Sequence, residues 1–345
     1  MLSDLKIQGI EAKPGEKKSG QLGLYDGSEH VADLVLGIVY GSKPGPTLCL
    51  TAGLNGELTY PATEAIVRTF KTLDPVKLSG VILAVLRVNV RPHNSQSKKS
   101  AINDSTLTDG FQGSICKATS GIIARFLLNE VVAKSGFHVD LRSGNADEMV
   151  INYTVYCKTS NRLNEIKANL ANAYGTEAVL LSTTSELGED GKLIEQTSKL
   201  NVASIIASVG IGMGRRDEKD VSMHMSGIRN VMMYLKMLDE TLPHRFDKPQ
   251  LELQPVHAVK AVNQGLFHPR TKCGDVVSNG ELVGCIENSS GKTIEELYAP
   301  VAGIVHSIST KKTIRTGEKL VTIYCLFEKW IDRYVEEWMD RFLED

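Results

Sequence analysis

Hydrophobic and polar positions fall into two grammars along the chain. In the first, strand-like and helix-like stretches alternate. Val31–Tyr40 has the alternation of a strand, and Thr47–Leu54 is the short apolar run that a buried central strand needs. Pro61, Ala62, Ala65, Ile66 and Phe70 open a helix with proline near its first turn. Val81–Val90, rich in β-branched and aliphatic residues, predicts another buried strand. Ser114–Lys134 carries a helical apolar face, Phe137–Leu141 and Tyr153–Cys157 read as strands, and Arg162–Tyr174 as a helix. Ala203–Val209 predicts a strand and Ser222–Leu238 a helix. Strands alternating with helices predict an α/β domain with a largely parallel or mixed sheet.

The second grammar begins after Pro243–Pro255. From Val256 to Cys325 helical periodicity vanishes, and short strands separated by glycine turns take over. Cys273-Gly-Asp-Val-Val-Ser-Asn-Gly-Glu-Leu-Val-Gly and Thr313-Ile-Arg-Thr-Gly-Glu-Lys-Leu-Val-Thr echo each other, with Ala299-Pro-Val-Ala-Gly303 between them. This resembles the small barrel of biotinyl and lipoyl carriers, but no exposed lysine flanked by methionines marks a carrier tip. A structural β module is the expectation. The tail, Phe327–Leu343, returns to helical spacing: Phe327, Trp330, Ile331, Tyr334, Trp338 and Phe342 form an aromatic stripe. Packing on its own protein and contact with another chain both stay open for that stripe.

Composition narrows the function classes. The 345 residues include 39 Lys+Arg against 41 Asp+Glu, a balance that speaks against a basic nucleic-acid binder. No apolar run approaches the roughly 20 residues of a membrane span. The N-terminus lacks the basic-then-apolar order of a signal peptide. The 6 cysteines lie far apart with no C-x-x-C, which suggests neither a zinc knuckle nor a disulfide framework. These features together predict a reduced, cytoplasmic protein.

Three stretches carry a family resemblance: Gly45-Pro-Thr-Leu-Cys-Leu-Thr-Ala-Gly53-Leu-Asn55-Gly56-Glu57-Leu58; Phe111-Gln-Gly113 followed by Val139-Asp140-Leu141-Arg142-Ser143-Gly144; and the β module. In this order they resemble the succinylglutamate desuccinylase/aspartoacylase family, from about Lys13 to Tyr324. The resemblance implies a zinc-carboxypeptidase-like α/β/α domain with a mixed sheet at 1–242. A small lipoyl/biotinyl-like β-barrel follows at 256–325, and a C-terminal amphipathic helix at 326–345. It also implies hydrolysis of N-acylated amino acids by one zinc ion. In the family pattern Gly-x-His-Gly-Asp/Glu-Glu, the zinc-binding histidine position is Asn55 here and the ligand acid position is Leu58, with Glu57 between them. The third ligand, the histidine of Asp-Leu-His-Ser/Thr-Gly, is Arg142. An amide, an isobutyl group and a guanidinium do not make a zinc site, so no metal and no cofactor are expected. The arginine position before Phe111-Gln-Gly113 is Asp109, and the general-base position falls on Ser208, which cannot act as a carboxylate would. Gly210-Ile-Gly-Met-Gly214 is not evidence for a dinucleotide.

Scaffold glycines persist (Gly53, Gly56, Gly113, Gly144, Gly210, Gly303) while the site is emptied. The expectation is a catalytically degenerate deacylase homologue with no catalytic residues. It would act as a non-catalytic subunit or as a binder of a small anionic ligand through Asn55, Glu57, Lys98, Arg142 and Ser208. Arg142 either fills the void by pairing with Glu57 or Asp140, or binds an anion bidentately. Two alternatives keep an enzyme: a metal relocated to His138 and Asp140 with Glu57, or a new nucleophile among Ser143, Ser208, Cys116 and Cys157. Against the first, a hydrogen-bonded core histidine is the commoner case; against the second, no nucleophile elbow or paired histidine is visible. Expected partners are an active homologous subunit or a second copy through the tail helix, with no nucleic acid and no membrane.

Overall fold

The structure, a computed structural model, describes residues 4–52, 60–90, 119–143, 147–159, 163–185, 187, 189–210, 217–240 and 254–325. A two-stranded hairpin, β1 (Leu5–Ile7) and β2 (Ile10–Ala12), opens the chain. Then come β3 (Lys17–Asp26), β4 (Glu29–Tyr40), β5 (Lys43–Ala52), α1 (Tyr60–Thr72), β6 (Ser79–Val90) and α2 (Thr119–Phe126). A π turn over Leu127–Val131 and a 3₁₀ turn over Val132–Lys134 end that helix before β7 (Phe137–Arg142). There follow β8 (Glu148–Val150), β9 (Tyr153–Cys157), α3 (Asn164–Tyr174), β10 (Ala178–Ser182), α4 (Glu189–Lys199), β11 (Ala203–Ser208) and α5 (Glu218–Tyr234). The last part is all β: β12 (Gln254–Lys260), β13 (Gly265–Pro269), β14 (Val276–Val277), β15 (Leu282–Glu287), β16 (Thr293–Tyr298), β17 (Gly303–Ser309), β18 (Thr313–Ile314) and β19 (Lys319–Cys325).

The predicted strands within the described residues are all present, and so are the helices ending at Tyr174 and beginning near Pro61. The late helix starts four residues earlier than its apolar face suggests, because the Asp217 side chain accepts from Lys219 N and caps it.

Eight strands form one mixed sheet in the order β10-β9-β11-β7-β5-β6-β4-β3. At its centre β11, β7, β5 and β6 run parallel, while β4 and β9 pair antiparallel to their inner neighbours. Helices cover both faces. On one, α1, α3 and α5 pack on Leu48, Leu50, Val139, Leu141, Ile205 and Ala207. On the other, α2 packs over β3 and β4 and shares one core with Cys49, Leu83 and Val85. Adjacent residues of a strand thus serve opposite cores, which is why the central strands read as continuous apolar runs.

The β module is two antiparallel sheets, β12-β19-β17-β14 and β16-β15-β13-β18, around one core. Its first sheet takes in a strand from outside the module: β8 pairs with β17, Ser307 opposite Val150. The seam is further fixed by Ile151 N donating to His306 O and Thr310 N to Asp147 O. An apolar cluster crosses it as well, joining Ile151, Val155, Leu180 and Ile206 to Ile304 of the module. No helix among the described residues is long and apolar enough to cross a membrane.

Candidate functional site

The central parallel strands bring their C-terminal ends together, the place where open α/β sheets bind ligands. The register sets the side chains in rows. Thr51 on β5 lies opposite Asp140 on β7, and Asp140 opposite Ile206 on β11. Cys49, His138 and Ser204 form the row below, and Arg142 and Ser208 face each other at the strand ends. Because side chains alternate along a strand, His138, Asp140 and Arg142 share one face.

This face carries a chain of buried polar groups. Arg142 Nε donates to Asp140 Oδ2 at 2.7 Å, with the arginine side chain 6% exposed and the carboxylate 0%. Thr51 Oγ1 donates to Asp140 Oδ1 at 2.6 Å. His138 Nε2 lies 2.9 Å from Thr51 Oγ1, and His138 Nδ1 lies 2.8 Å from Ser204 Oγ. The Thr51 hydroxyl has one proton, spent on Asp140, so it accepts from His138 Nε2–H. Burial, and then the Arg142 charge, pull the His138 pKa down to about 3, so the ring is neutral and its Nδ1 accepts from Ser204. The order of protons is assigned by the network: Ser204 to His138, His138 to Thr51, Thr51 to Asp140, with Arg142 donating from the other side. Burial and then Asp140 raise the Cys49 thiol far above its usual range, so Cys49 stays protonated.

A second chain reaches the main chain of Arg142 from α5, on the opposite face. His224 Nε2 lies 2.9 Å from Arg142 O, and His224 Nδ1 lies 2.7 Å from Tyr174 Oη. A carbonyl only accepts, so Nε2 carries the proton and Nδ1 accepts from the phenol. Burial draws the His224 pKa down to about 4, against the opposing pull of the carbonyl. Gly227, one turn after His224, admits this contact. A Cβ there would lie 2.3 Å from the Tyr174 ring. The Arg142 carbonyl accepts from Val209 N as well, at 3.0 Å.

The β module comes close to this row. Tyr153 is the in-register neighbour of Ser208 on the side away from Arg142. Its ring meets His306 of the module edge to face, centroids 5.0 Å apart, and His306 meets Tyr324 at 4.6 Å.

Of the residues singled out from sequence, Arg142 and Ser208 are buried side by side at the strand ends, with His138 and Asp140 below Arg142. Asn55, Glu57, Leu58, Lys98, Asp109, Cys116 and the tail stripe Phe327–Phe342 lie outside the described residues. His138 has both ring nitrogens in hydrogen bonds, so ligation of a metal would cost it one of them. Among the described residues no group of three His, Cys, Asp or Glu is disposed to hold a metal. Thr51, Ser204, His224 and Tyr174 were not singled out from sequence. Thr51 and Ser204 are hydroxyls with apolar residues on either side in their strands, and His224 and Tyr174 lie 50 positions apart, so no local spacing signals them.

No family model matches the sequence, and no curated protein matches it. Solved structures do match the fold. A succinylglutamate desuccinylase/aspartoacylase from Rhodobacter sphaeroides superposes with a TM-score of 0.72 at 19% identity, over 90% of this chain and 95% of that one. A succinylglutamate desuccinylase from a Silicibacter species gives 0.75 at 16% identity, over 94% of this chain and 100% of the other. A product-bound ectoine utilization protein from Ruegeria pomeroyi gives 0.72 at 17%, over 90% and 95%. At these identities the likeness establishes the fold. The α/β domain and its β module, in one chain, have the architecture of succinylglutamate desuccinylase/aspartoacylase structures.

Proposed function

We propose that the chain is a relative of the succinylglutamate desuccinylase/aspartoacylase deacylases that has given up zinc chemistry and binds a small anionic ligand at the former metal position. The observation that carries the loss of zinc chemistry is the Arg142 guanidinium at the end of a central strand, where its bond to Asp140 is the void-filling pairing of the two expected. By the motif resemblance Arg142 stands where the third zinc ligand would be. A guanidinium has no lone pair to offer a metal and keeps its charge at any pH the protein meets. The residues therefore do not fit zinc. Asn55 and Leu58 at the other two ligand positions point the same way. By the resemblance this position is one where family members accept carbonyl and carboxylate oxygens, so a fixed cation there suits an anion, and Ser208 is its in-register neighbour.

The test is elemental analysis with an activity assay on protein from zinc-supplemented medium. The expected result is far less than one zinc per chain and no hydrolysis of N-acetyl- or N-succinyl-amino acids. One zinc per chain retained through mild chelation, or clear turnover of those amides, overturns the reading in favour of a rebuilt amidohydrolase. Changing Asn55→His, Leu58→Glu and Arg142→His together should restore zinc binding. Hydrolysis should stay negligible, because Ser208 supplies no base. A second reading, a non-catalytic subunit that pairs with an active relative or with itself, is favoured by the aromatic stripe of the tail. Trp330→Ala with Trp338→Ala should then lower the mass in solution with the fold retained.

A further inference from the structure

We propose that the cavity at the starting ends of β5 and β6 is a binding site for a small acidic amino acid, a ligand with two carboxylates and one ammonium group. The inference goes beyond the reading of the Arg142 position and does not depend on it. β5 and β7 run parallel, so the cavity lies at the end of the sheet opposite to Arg142.

The cavity has a volume of about 390 Å³, within the range of small-molecule sites, roughly 300–1,000 Å³. It is lined by Lys43 at the start of β5, by Ser79 at the start of β6, and by Met233, Lys236, Asp239 and Glu240 from the end of α5 onward. Three glycines bring the two strand entries together backbone to backbone. A Cβ on Gly41 would lie 2.2 Å from Leu78 O, one on Gly45 2.7 Å from Gly80 N, and one on Gly80 2.0 Å from Pro46 O. Ser79 N donates to Met237 O at 2.9 Å, which ties the turn after α5 to the same place. Main-chain contacts therefore hold the lining residues in position before any ligand arrives.

Lys236 supplies a second observation. Leu235 caps α5, and Lys236 follows it with a φ of 54°, in the left-handed region. Glycine is favoured at that position, and a lysine adopts it only with backbone strain. A lysine inside the last turn would serve the helix dipole without strain, yet that turn has no basic residue. The strained position sets the lysine at the cavity instead. Charge then selects the ligand. Glu240 is engaged by Arg229. Among the described residues Lys43, Lys236 and Asp239 have no ion-pair partner, although all three line one cavity. Two cations and one carboxylate that do not pair with each other match two carboxylates and one ammonium on a single small molecule. A simple dianion would meet repulsion from Asp239, and an amino acid with one carboxylate would leave one lysine unused.

The test uses the full chain and follows its backbone amides in ¹H–¹⁵N spectra. L-Glutamate is titrated against sodium chloride at equal ionic strength. Saturable shifts at Ser79, Lys236 and Asp239 are expected. L-Glutamine, which lacks the second carboxylate, and glutarate, which lacks the ammonium, should each bind about fivefold more weakly. Lys43→Ala and Lys236→Gly should weaken glutamate binding about fivefold. Asp239→Asn should weaken glutamate by a similar factor and leave glutarate unweakened. All three side chains are exposed, so the fold survives these changes. Lys236→Gly also relieves the positive φ and should raise the melting temperature. A gain in stability with a loss of affinity marks a ligand-binding lysine, which a merely structural lysine would not show. Lys236→Gly protein that binds glutamate as tightly as the wild type overturns the proposal. So do glutarate binding as tight as that of glutamate, and shifts that sodium chloride reproduces. Shifts confined to Arg142 and Ser208 also overturn it, because they put the ligand at the other end of the sheet.

Discussion

The core under the eight-stranded sheet and the core of the β module treat polarity in opposite ways. The module closes around Val259, Phe267, Val283, Ile286, Leu297, Val305, Ile314, Val321 and Ile323, and its buried polar side chains Ser307 and Thr322, bonded to each other, face the other side of the sheet, since Thr322 alternates with Val321 and Ile323. The α/β domain buries Asp140, Arg142, His138 and His224 together at one end of its sheet. It also buries Lys167, which is held by Thr159 and Ser198 and drawn down to about 8 by burial. One chain therefore builds one interior without charges and another with them. Buried ion pairs are weak contributors to stability compared with apolar residues of the same volume. Arg142 stands at the end of β7, the side on which open α/β sheets bind ligands, with Asp140 and His138 progressively deeper in the strand.

The sharpest way to break this comparison is to remove one member of the pair. Asp140→Leu leaves the Arg142 charge buried without its carboxylate and should cost about 3–5 kcal/mol in urea unfolding. The double change Asp140→Leu with Arg142→Met restores an apolar interior and should recover most of that loss. A double variant as unstable as the single one would mean that the pair holds the domain together, and the contrast with the module would lose its meaning.

Acid should also separate the two regions. His138 falls to about 3 and His224 to about 4 inside the α/β domain, and His306 at the seam falls to about 4, each through burial first. All three have folded values below the 6.5 of the unfolded chain. Between pH 6.5 and about 4 the unfolded chain binds protons that the folded chain refuses, so stability falls as pH falls through that window. At pH 7 the contribution is complete. A buried histidine moved from 6.5 to about 4 is worth about 3 kcal/mol once fully titrated. Urea midpoints by circular dichroism at pH 7, 6 and 5 should decline, and His306→Phe should make the decline shallower. Midpoints that stay level from pH 7 to 5 would contradict buried neutral histidines.

Much of the fold was legible because the central strands are buried on both faces and therefore uniformly apolar, as in Val81–Val90 and Ala203–Val209. The elements that escaped notice have physical reasons. α4 buries Leu193 and Ile194 but also Thr197 and Ser198, and it carries Gly191, so its apolar period is broken. β10 is as short as β9 but carries alanine, leucines and serine, with one β-branched residue, Val179. Strand β8 reads as part of the first domain, yet it pairs with β17, because pairing across a seam leaves no mark in local pattern. At the site, Arg142 stood out because it interrupts a motif, and its pairing with Asp140 was one of two partners foreseen. The hydroxyls of Thr51 and Ser204 looked like ordinary strand residues. Only the register shows that they order the protons around His138.

The smallest expected effect sharpens the comparison from the module's side. Ser307 and Thr322 share a hydrogen bond between neighbouring strands β17 and β19, in register with each other. Thr322→Val removes one partner and leaves the Ser307 hydroxyl buried, which should cost about 1–2 kcal/mol. Ser307→Ala with Thr322→Val removes both polar groups and should come within about 0.5 kcal/mol of the wild type, since replacing both partners by apolar groups is close to neutral. Urea unfolding of the two variants and of Ser307→Ala alone closes the cycle. A near-neutral double would show that this buried polar pair is incidental to the packing of the module's sheet. A double as costly as the sum of its singles would instead mean that these hydroxyls are a structural requirement of the module, and the contrast between the cores would narrow to charge alone.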